Sequence, residues 1–368
     1  MGSKLIPYSE ITTENNQYPP LTSSRKGLFL QTDYFNRQVA SEDNTGYNIV
    51  PYGYFTYRHM SDDRTFYFNI NEIVEKGIVS TLYPVFTTTD GLNSHFLRAY
   101  LNYSKRFALY CVLQKQGGSR TYMYFRKLCA HNAVIPSVEE QEKIADFIDL
   151  LDKRIKLQNE KIECLKKYKR GAIDGLLSRK LHFQTTSSWR EVKISELFSP
   201  ISEKGYVNLT VLTIVQGVGT QPRESVERRI SYDKSNTNTY KRVLENDFIL
   251  HLRSFEGGLE IANSEGIVSP AYTILRTKEQ IIPLFYYVYF RSYWFISNKL
   301  RIAVEGIRDG KSINMETFWN IVVPYPPIEE QKHIAEYLLC LDTKLKKAEA
   351  ILDRLKAIKK GFSQQLFI

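Results

Sequence analysis

Side chains able to do chemistry are few in this sequence and badly spaced for it. Four cysteines, Cys111, Cys129, Cys164 and Cys340, stand far apart with no C-x-x-C pair, and none of the six histidines is at ligand spacing. Neither a zinc site nor a disulfide framework is expected, and the cysteines read as buried thiols. No G-x-x-x-x-G-K-[ST] loop occurs, and Gly217-Val218-Gly219 runs into Thr220-Gln221-Pro222 without opening an amphipathic helix, so no nucleotide fingerprint is present. No Asn-Pro-Pro-Phe tetrad for adenine methylation exists; Tyr325-Pro326-Pro327-Ile328 reads as the opening of a helix. Asp62-Asp63 reads as a solvated turn rather than a cation site. We therefore assign no catalytic residue, no metal and no cofactor to this chain, and expect any chemistry to belong to a partner.

What remains are basic and polar side chains on turns. Arg58 and His59 follow the strand-like 52–56, and Arg253 stands in His251-Leu252-Arg253-Ser254 behind Phe248-Ile249-Leu250. Ser119 and Arg120 lie on Gln116-Gly117-Gly118, and Arg308 and Lys311 on the glycine-bearing stretch 306–312. A guanidinium or ammonium reaching from such a loop can approach a phosphate or pair with the edge of guanine. These seven residues are the DNA-binding candidates. The charge balance agrees with that choice. Lys and Arg total 50 against 40 Asp and Glu, a formal charge of +10 spread along the chain, which favours a polyanionic partner.

The elements that hold these loops are legible from a repeat. Pro136-Ser137-Val138-Glu139-Glu140-Gln141 returns 190 positions later as Pro326-Pro327-Ile328-Glu329-Glu330-Gln331, and the same offset then runs without a gap to the C-terminus. A weaker echo, Gly77-Ile78-Val79-Ser80 against Gly266-Ile267-Val268-Ser269, lies upstream. The chain is two copies of one unit, each a globular part followed by a segment of about 45 residues. The 368 residues divide into a first globular domain at 1–135, a central helix at 136–180, a second globular domain at 181–325 and a distal helix at 326–368.

In both helical segments apolar residues alternate at steps of four and three, which is a heptad seam. The first seam runs through Ile144, Ile148, Leu151, Ile155, Ile162 and Leu165, the second through Ile334, Leu338, Leu341, Leu345, Leu352 and Leu355. Acidic pairs in the first turn and lysines towards the end suit the helix dipole. A helix of about 40 residues is roughly 60 Å long and cannot be stable alone, so the two are expected to pack as an antiparallel coiled coil. About a pseudo-twofold axis this makes a nearly cyclic rod with a globular head at each end. The heads hold most of the 25 tyrosines and 20 phenylalanines. They read as α+β, with strands at 65–68, 81–88 and 207–215 and buried helices at 93–113 and 282–300. The N-terminus carries no apolar leader and no stretch is long enough to span a bilayer, so a soluble, cytoplasmic protein with no membrane partner is expected.

The twice-occurring Pro-x-x-Glu-Glu-Gln opening of a heptad helix, and the Gly-Ile-Val-Ser strand in each head, resemble the DNA-specificity subunit of type I restriction-modification systems. Trp189-Arg190-Glu191-Val192-Lys193-Ile194-Ser195-Glu196-Leu197-Phe198 is similar to the start of that family's target recognition domain; the first head lacks this opening. The resemblance implies a non-catalytic subunit whose two heads each read one half of an asymmetric bipartite site in double-stranded DNA. It also implies that the helices set the spacing and dock methyltransferase subunits, two of them, which hold S-adenosylmethionine, and that a restriction or translocase subunit joins. Two rival readings stay open: a specificity subunit of a related system that cuts on both sides of its site, and a coiled-coil scaffold without a DNA role.

Overall fold

The computed structural model describes residues 1–35, 41–115, 119–183, 188–226, 234–251, 256–306 and 311–367. Its contacts divide into two compact units, Met1–Lys161 with Ala348–Ile368, and Ile162–Lys347. Each unit thus takes one head and one part of each long helix, whereas the sequence boundaries separate heads from helices.

In the first unit an antiparallel sheet is ordered Leu5–Tyr8, Val85–Thr88, Phe55–Thr56, Asn69–Ile70. In the second, the order is Phe198–Ile201, Tyr272–Thr277, Phe248–His251, Glu260–Ile261. The aromatic content fills the space behind these sheets. Phe55 and Phe86 pair across strands with ring centroids 4.7 Å apart. Phe198, Phe248 and Phe290 meet edge-on or tilted at 5.4 to 5.7 Å in the second unit. Large rings supply much buried apolar area in short strands, which suits a small head with little regular structure.

The repeated glycines have a steric reason. A hairpin, Leu21–Ser24 with Gly27–Leu30, lies over the strand Lys76–Val79. A Cβ on Gly77 would stand 2.4 Å from Leu21 Cδ1, and one on Gly266 would stand 2.5 Å from Leu212 Cδ1. Leu212 opens the corresponding hairpin, Leu212–Val215 with Gly219–Pro222. Both leucines are buried, so only glycine admits the close approach.

The long helices span Val138–Leu177 and Ile328–Leu366. In the first unit Phe147 meets Phe362 at 5.0 Å, Asp152 pairs with Lys359, and Gln158 Nε2 donates to the Ala348 carbonyl at 2.8 Å. The partners descend as the first series rises, so the helices run antiparallel. The second unit holds the ion pair Lys169–Asp342, the first pair with its roles exchanged at the same offset of 190, and Tyr168 hydroxyl meets Tyr337 hydroxyl at 2.7 Å. The twelve seam residues are all buried or half-buried; Ile148, Leu338 and Ile334 are each 1% exposed.

Several sequence expectations need correction. The expected helix at 93–113 is two, Ser94–Tyr103 and Lys105–Leu113, broken at Ser104, whose Oγ accepts the Phe107 amide and caps the second. Leu109, Val112 and Leu113 on that second helix are exposed, not buried. The stretch 282–300 is helical at Pro283–Phe290, stops at Arg291 and resumes as a π turn at Phe295–Lys299. Residues 65–68 form no strand, because the Phe68 amide donates to Asn102 Oδ1 instead of a ladder partner. Only Val85–Thr88 of 81–88 and Leu212–Val215 of 207–215 are strand. Cys164 and Cys340 are exposed, because they fall off the seam, while Cys111 is buried and its thiol is pushed up to about 12 by burial.

Candidate nucleic-acid interface

A cleft of about 400 Å³ opens in the first unit between the tip of the Leu21–Ser24/Gly27–Leu30 hairpin, the turn after Phe55–Thr56 and the segment 60–67. Three cations, Arg25, Lys26 and Arg58, and three tyrosines, Tyr34, Tyr67 and Tyr83, line it. The tip is a tight turn that Gly27 closes at φ +126°, which aims Arg25 and Lys26 outward.

Arg25 is fixed from two sides. It pairs with Asp63 and its guanidinium lies 5.4 Å over the Tyr67 ring. Asp63 is itself held by Ser61 Oγ at 2.9 Å and Thr65 Oγ1 at 2.6 Å. The Thr65 hydroxyl, with Arg25 second, keeps its carboxyl well below the usual carboxylate range. Asp62 receives Arg120 Nε at 3.0 Å. The acidic pair read as a solvated turn therefore orients two arginines. Among the described residues no group with the arrangement of a metal site occurs.

Arg58 is exposed and has no hydrogen bond or ion pair among the described residues, yet it lines the cleft. Its charge opposes the rise that burial imposes on the Tyr83 phenol, which marks how near the two lie. His59 is bound into the frame: Nδ1 meets the Leu82 carbonyl at 2.6 Å, and its ring packs on Tyr124 at 5.2 Å and Tyr122 at 6.0 Å. Ser119 and Arg120 are exposed just before Thr121–Tyr122, which pairs with Met60–Ser61. Arg58, His59 and Arg120 thus converge on one side of the head, although 116–118 lie outside the described residues. Arg25 and Lys26 escaped the sequence reading. The signal was Ser24-Arg25-Lys26-Gly27 between two strand-like runs, a hairpin tip carrying two cations.

The second unit is built differently at the same place. Its hairpin tip carries no charge and is tied down: Asn263 Nδ2 donates to the Val218 carbonyl at 2.8 Å, and Glu260 Oε1 accepts the Gly217 amide at 2.9 Å. Arg276 pairs with Asp247 and Glu203 at 2.8 Å, and Arg242 with Glu203 and Glu265, so these arginines brace the sheet. A cleft of about 380 Å³ runs along the other end of the hairpin, between Val211, Pro222, Arg223 and Thr237. Lys311 is exposed next to Ser312–Ile313. Arg253 and Arg308 lie outside the described residues.

The frame under both heads is the same. Gln141 and Gln331 are fully buried. Gln141 accepts the Asn93 amide at 2.8 Å and donates to the Pro136 carbonyl at 2.9 Å; Gln331 accepts the Ile282 amide at 2.9 Å and donates to the Pro326 carbonyl at 2.8 Å. The glutamine of the repeated motif therefore clamps the start of its long helix to the start of the head helix, twice. In the second unit Trp189 Nε1 also donates to the buried Glu330 at 2.7 Å.

Against known proteins, residues 187–357 match the family described as type I restriction modification DNA specificity domain. The putative type I restriction enzyme MjaX specificity subunit of Methanocaldococcus jannaschii is 22% identical over 277 residues, 68% of this chain and 62% of that protein. The MjaVIII specificity subunit of the same organism is 30% identical over 131 residues, 36% of this chain and 30% of its own length. The chain thus spans less than two thirds of either relative. The fold extends further than the sequence match. The S subunit of a type I restriction-modification system from M. genitalium aligns over 100% of this chain and 94% of its own, at TM-score 0.55 and 16% identity. A chain from a structure on assembly and conformational transition of the type I system aligns over 100% and 96%, at TM-score 0.58 and 15% identity. The specificity domain at 187–357 covers the second head and most of the distal helix. The first head has the same sheet order and the same glutamine clamp.

No helix among the described residues is long and apolar enough to cross a membrane.

Proposed function

We propose that this chain is the DNA-specificity subunit of a type I restriction-modification complex, with each head reading one half of an asymmetric bipartite site in double-stranded DNA. One observation carries the reading. The frame is repeated residue for residue, in the glutamine clamps, the glycine–leucine contacts and the exchanged Asp–Lys pairs, while the exposed loops are not repeated. A duplicated frame with unlike loops is what two unlike half-sites require. The arginine–tyrosine cleft of the first unit suits a backbone with bases behind it: cations meet phosphates, and an unpaired guanidinium such as Arg58 can pair with a base edge. The chain acts by recognition. Two methyltransferase subunits docked on the helices supply S-adenosylmethionine and the transfer chemistry, a restriction or translocase subunit joins them, and the complex works in the cytoplasm.

The test is selection of a random duplex pool by the purified chain, alone and with its methyltransferase subunit, followed by sequencing of what is retained. Two unlike short motifs at a fixed spacing are expected. Purely salt-sensitive binding without a motif, in the presence of the methyltransferase, would overturn the proposal in favour of a scaffold.

A further inference from the structure

A second cavity of the first unit has no counterpart in the function proposed above. It measures about 420 Å³ and lies between the turn at 102–105, the central helix at Asp152 and Ile155, and the distal helix at 356–364. Four lysines surround it, Lys105, Lys356, Lys359 and Lys360. Lys359 is consumed by Asp152 and by Tyr103, over whose ring its ammonium sits at 3.9 Å. Lys105, Lys356 and Lys360 are exposed, and no ion pair or hydrogen bond engages them among the described residues. One acid against four bases leaves the cavity strongly positive.

Its wall holds an unmet polar group. Ser363 is 4% exposed, and its buried Oγ has no hydrogen-bond partner among the described residues. A buried hydroxyl without a partner costs about 1 to 3 kcal/mol; in a helix it can bond back to a carbonyl one turn earlier, and here it makes no such bond. The other copy shows the alternative. The position 190 residues earlier is Ile173, which packs against the second unit's core. Where one copy closes the contact with an apolar side chain, the other keeps an open hydroxyl, a tyrosine edge and three unpaired ammonium groups.

Lysine stems and Tyr103 supply apolar walls, with a few polar groups set among them, which is the general make-up of a small-ligand site. Lysines act on phosphate as point charges. We propose that this cavity binds a phosphorylated small molecule of nucleotide size, with Lys105, Lys356 and Lys360 on the phosphates and the Ser363 hydroxyl on a polar group of the ligand. Such a ligand would sit where the first head meets both long helices, apart from the cleft assigned to DNA.

Isothermal titration of the full chain with ATP, AMP and inorganic tripolyphosphate tests this. Binding of at least one is expected, weakened at least tenfold in the Lys356→Glu/Lys360→Glu double variant. Ser363→Ile, which copies the other unit, should abolish binding while the melting temperature holds or rises. Should Ser363→Ile fail to fold, the double variant at exposed positions still decides. No heat from any of the three anions, or binding that persists in the double variant, overturns the proposal. So does full displacement of the nucleotide by a duplex of arbitrary sequence, which would assign these lysines to the DNA backbone.

Discussion

Arg58 is, with Lys26, one of the cleft cations left free to act on a ligand among the described residues. It lines the cleft, is exposed and is unengaged among the described residues, whereas Arg25 and Arg120 are already oriented by Asp63 and Asp62. Arg58→Ala should therefore relax one half-site motif and weaken specific binding about tenfold or more, with the melting temperature unchanged. Asp63→Ala should act through Arg25, lowering affinity for many sequences alike and reducing the salt dependence of binding. Both are read from binding isotherms at several salt concentrations; a motif unchanged in Arg58→Ala would sink the assignment. Sequence reading singled out Arg58, His59 and Arg120 as candidates because turn residues behind strands are visible in one dimension. It missed Arg25 because the partner that aims it, Asp63, is 38 positions away.

The glycine–leucine contacts and the glutamine clamps work as joints between elements. Gly77→Ala forces a Cβ against Leu21 and Gly266→Ala one against Leu212, and each should cost about 1 to 3 kcal/mol in denaturant unfolding. Gln141→Ala strands the Asn93 amide and should cost a similar amount, about 1 to 3 kcal/mol, as Gln331→Ala should through Ile282. One joint belongs to the first unit. His95 lies between Asp149 of the central helix and Glu72, 2.6 and 3.1 Å away, with Arg98 bridging the same two acids. Asp149 first, then Glu72, raise His95 to about 9. Its folded value exceeds its unfolded one of about 6.5. The contribution to stability is therefore complete below about pH 6.5 and is lost as pH rises through about 9. Glu72 and Asp149 are both lowered, Glu72 chiefly by its hydrogen bond to His95 and Asp149 by His95 and Arg98 against its own burial. Their part is present above the ordinary carboxylate range and fades below it. Chemical denaturation between pH 6 and 10 should show a decline that His95→Gln removes; an identical slope in the variant would refute the joint.

For the molecule, the paired helices are the element on which two heads depend. Leu151→Asp or Leu341→Asp buries a charge at a position only 7% or 6% exposed. Either should separate the helices and abolish co-purification with methyltransferase subunits, unlike an exposed control such as Lys153→Asp. Adding one heptad to both helices keeps the seam in phase, lengthens it by roughly 10 Å and should widen the half-site gap by about three base pairs in a selection experiment. Much of this architecture was written in the order of residues: helix phase, helix ends and duplication depend on neighbours three, four or seven positions apart, and 190 positions apart only by repetition. The heads were less legible. Their strands are two to six residues long and are defined by partners far away in the chain, so the stretch at 65–68 looked like strand while Asn102 took its amide. Sequence alone settled that two like halves carry unlike loops on a helical frame. Only the tertiary structure decided which cations stand free and which are spent on a carboxylate, because that depends on distances between residues the chain order keeps apart.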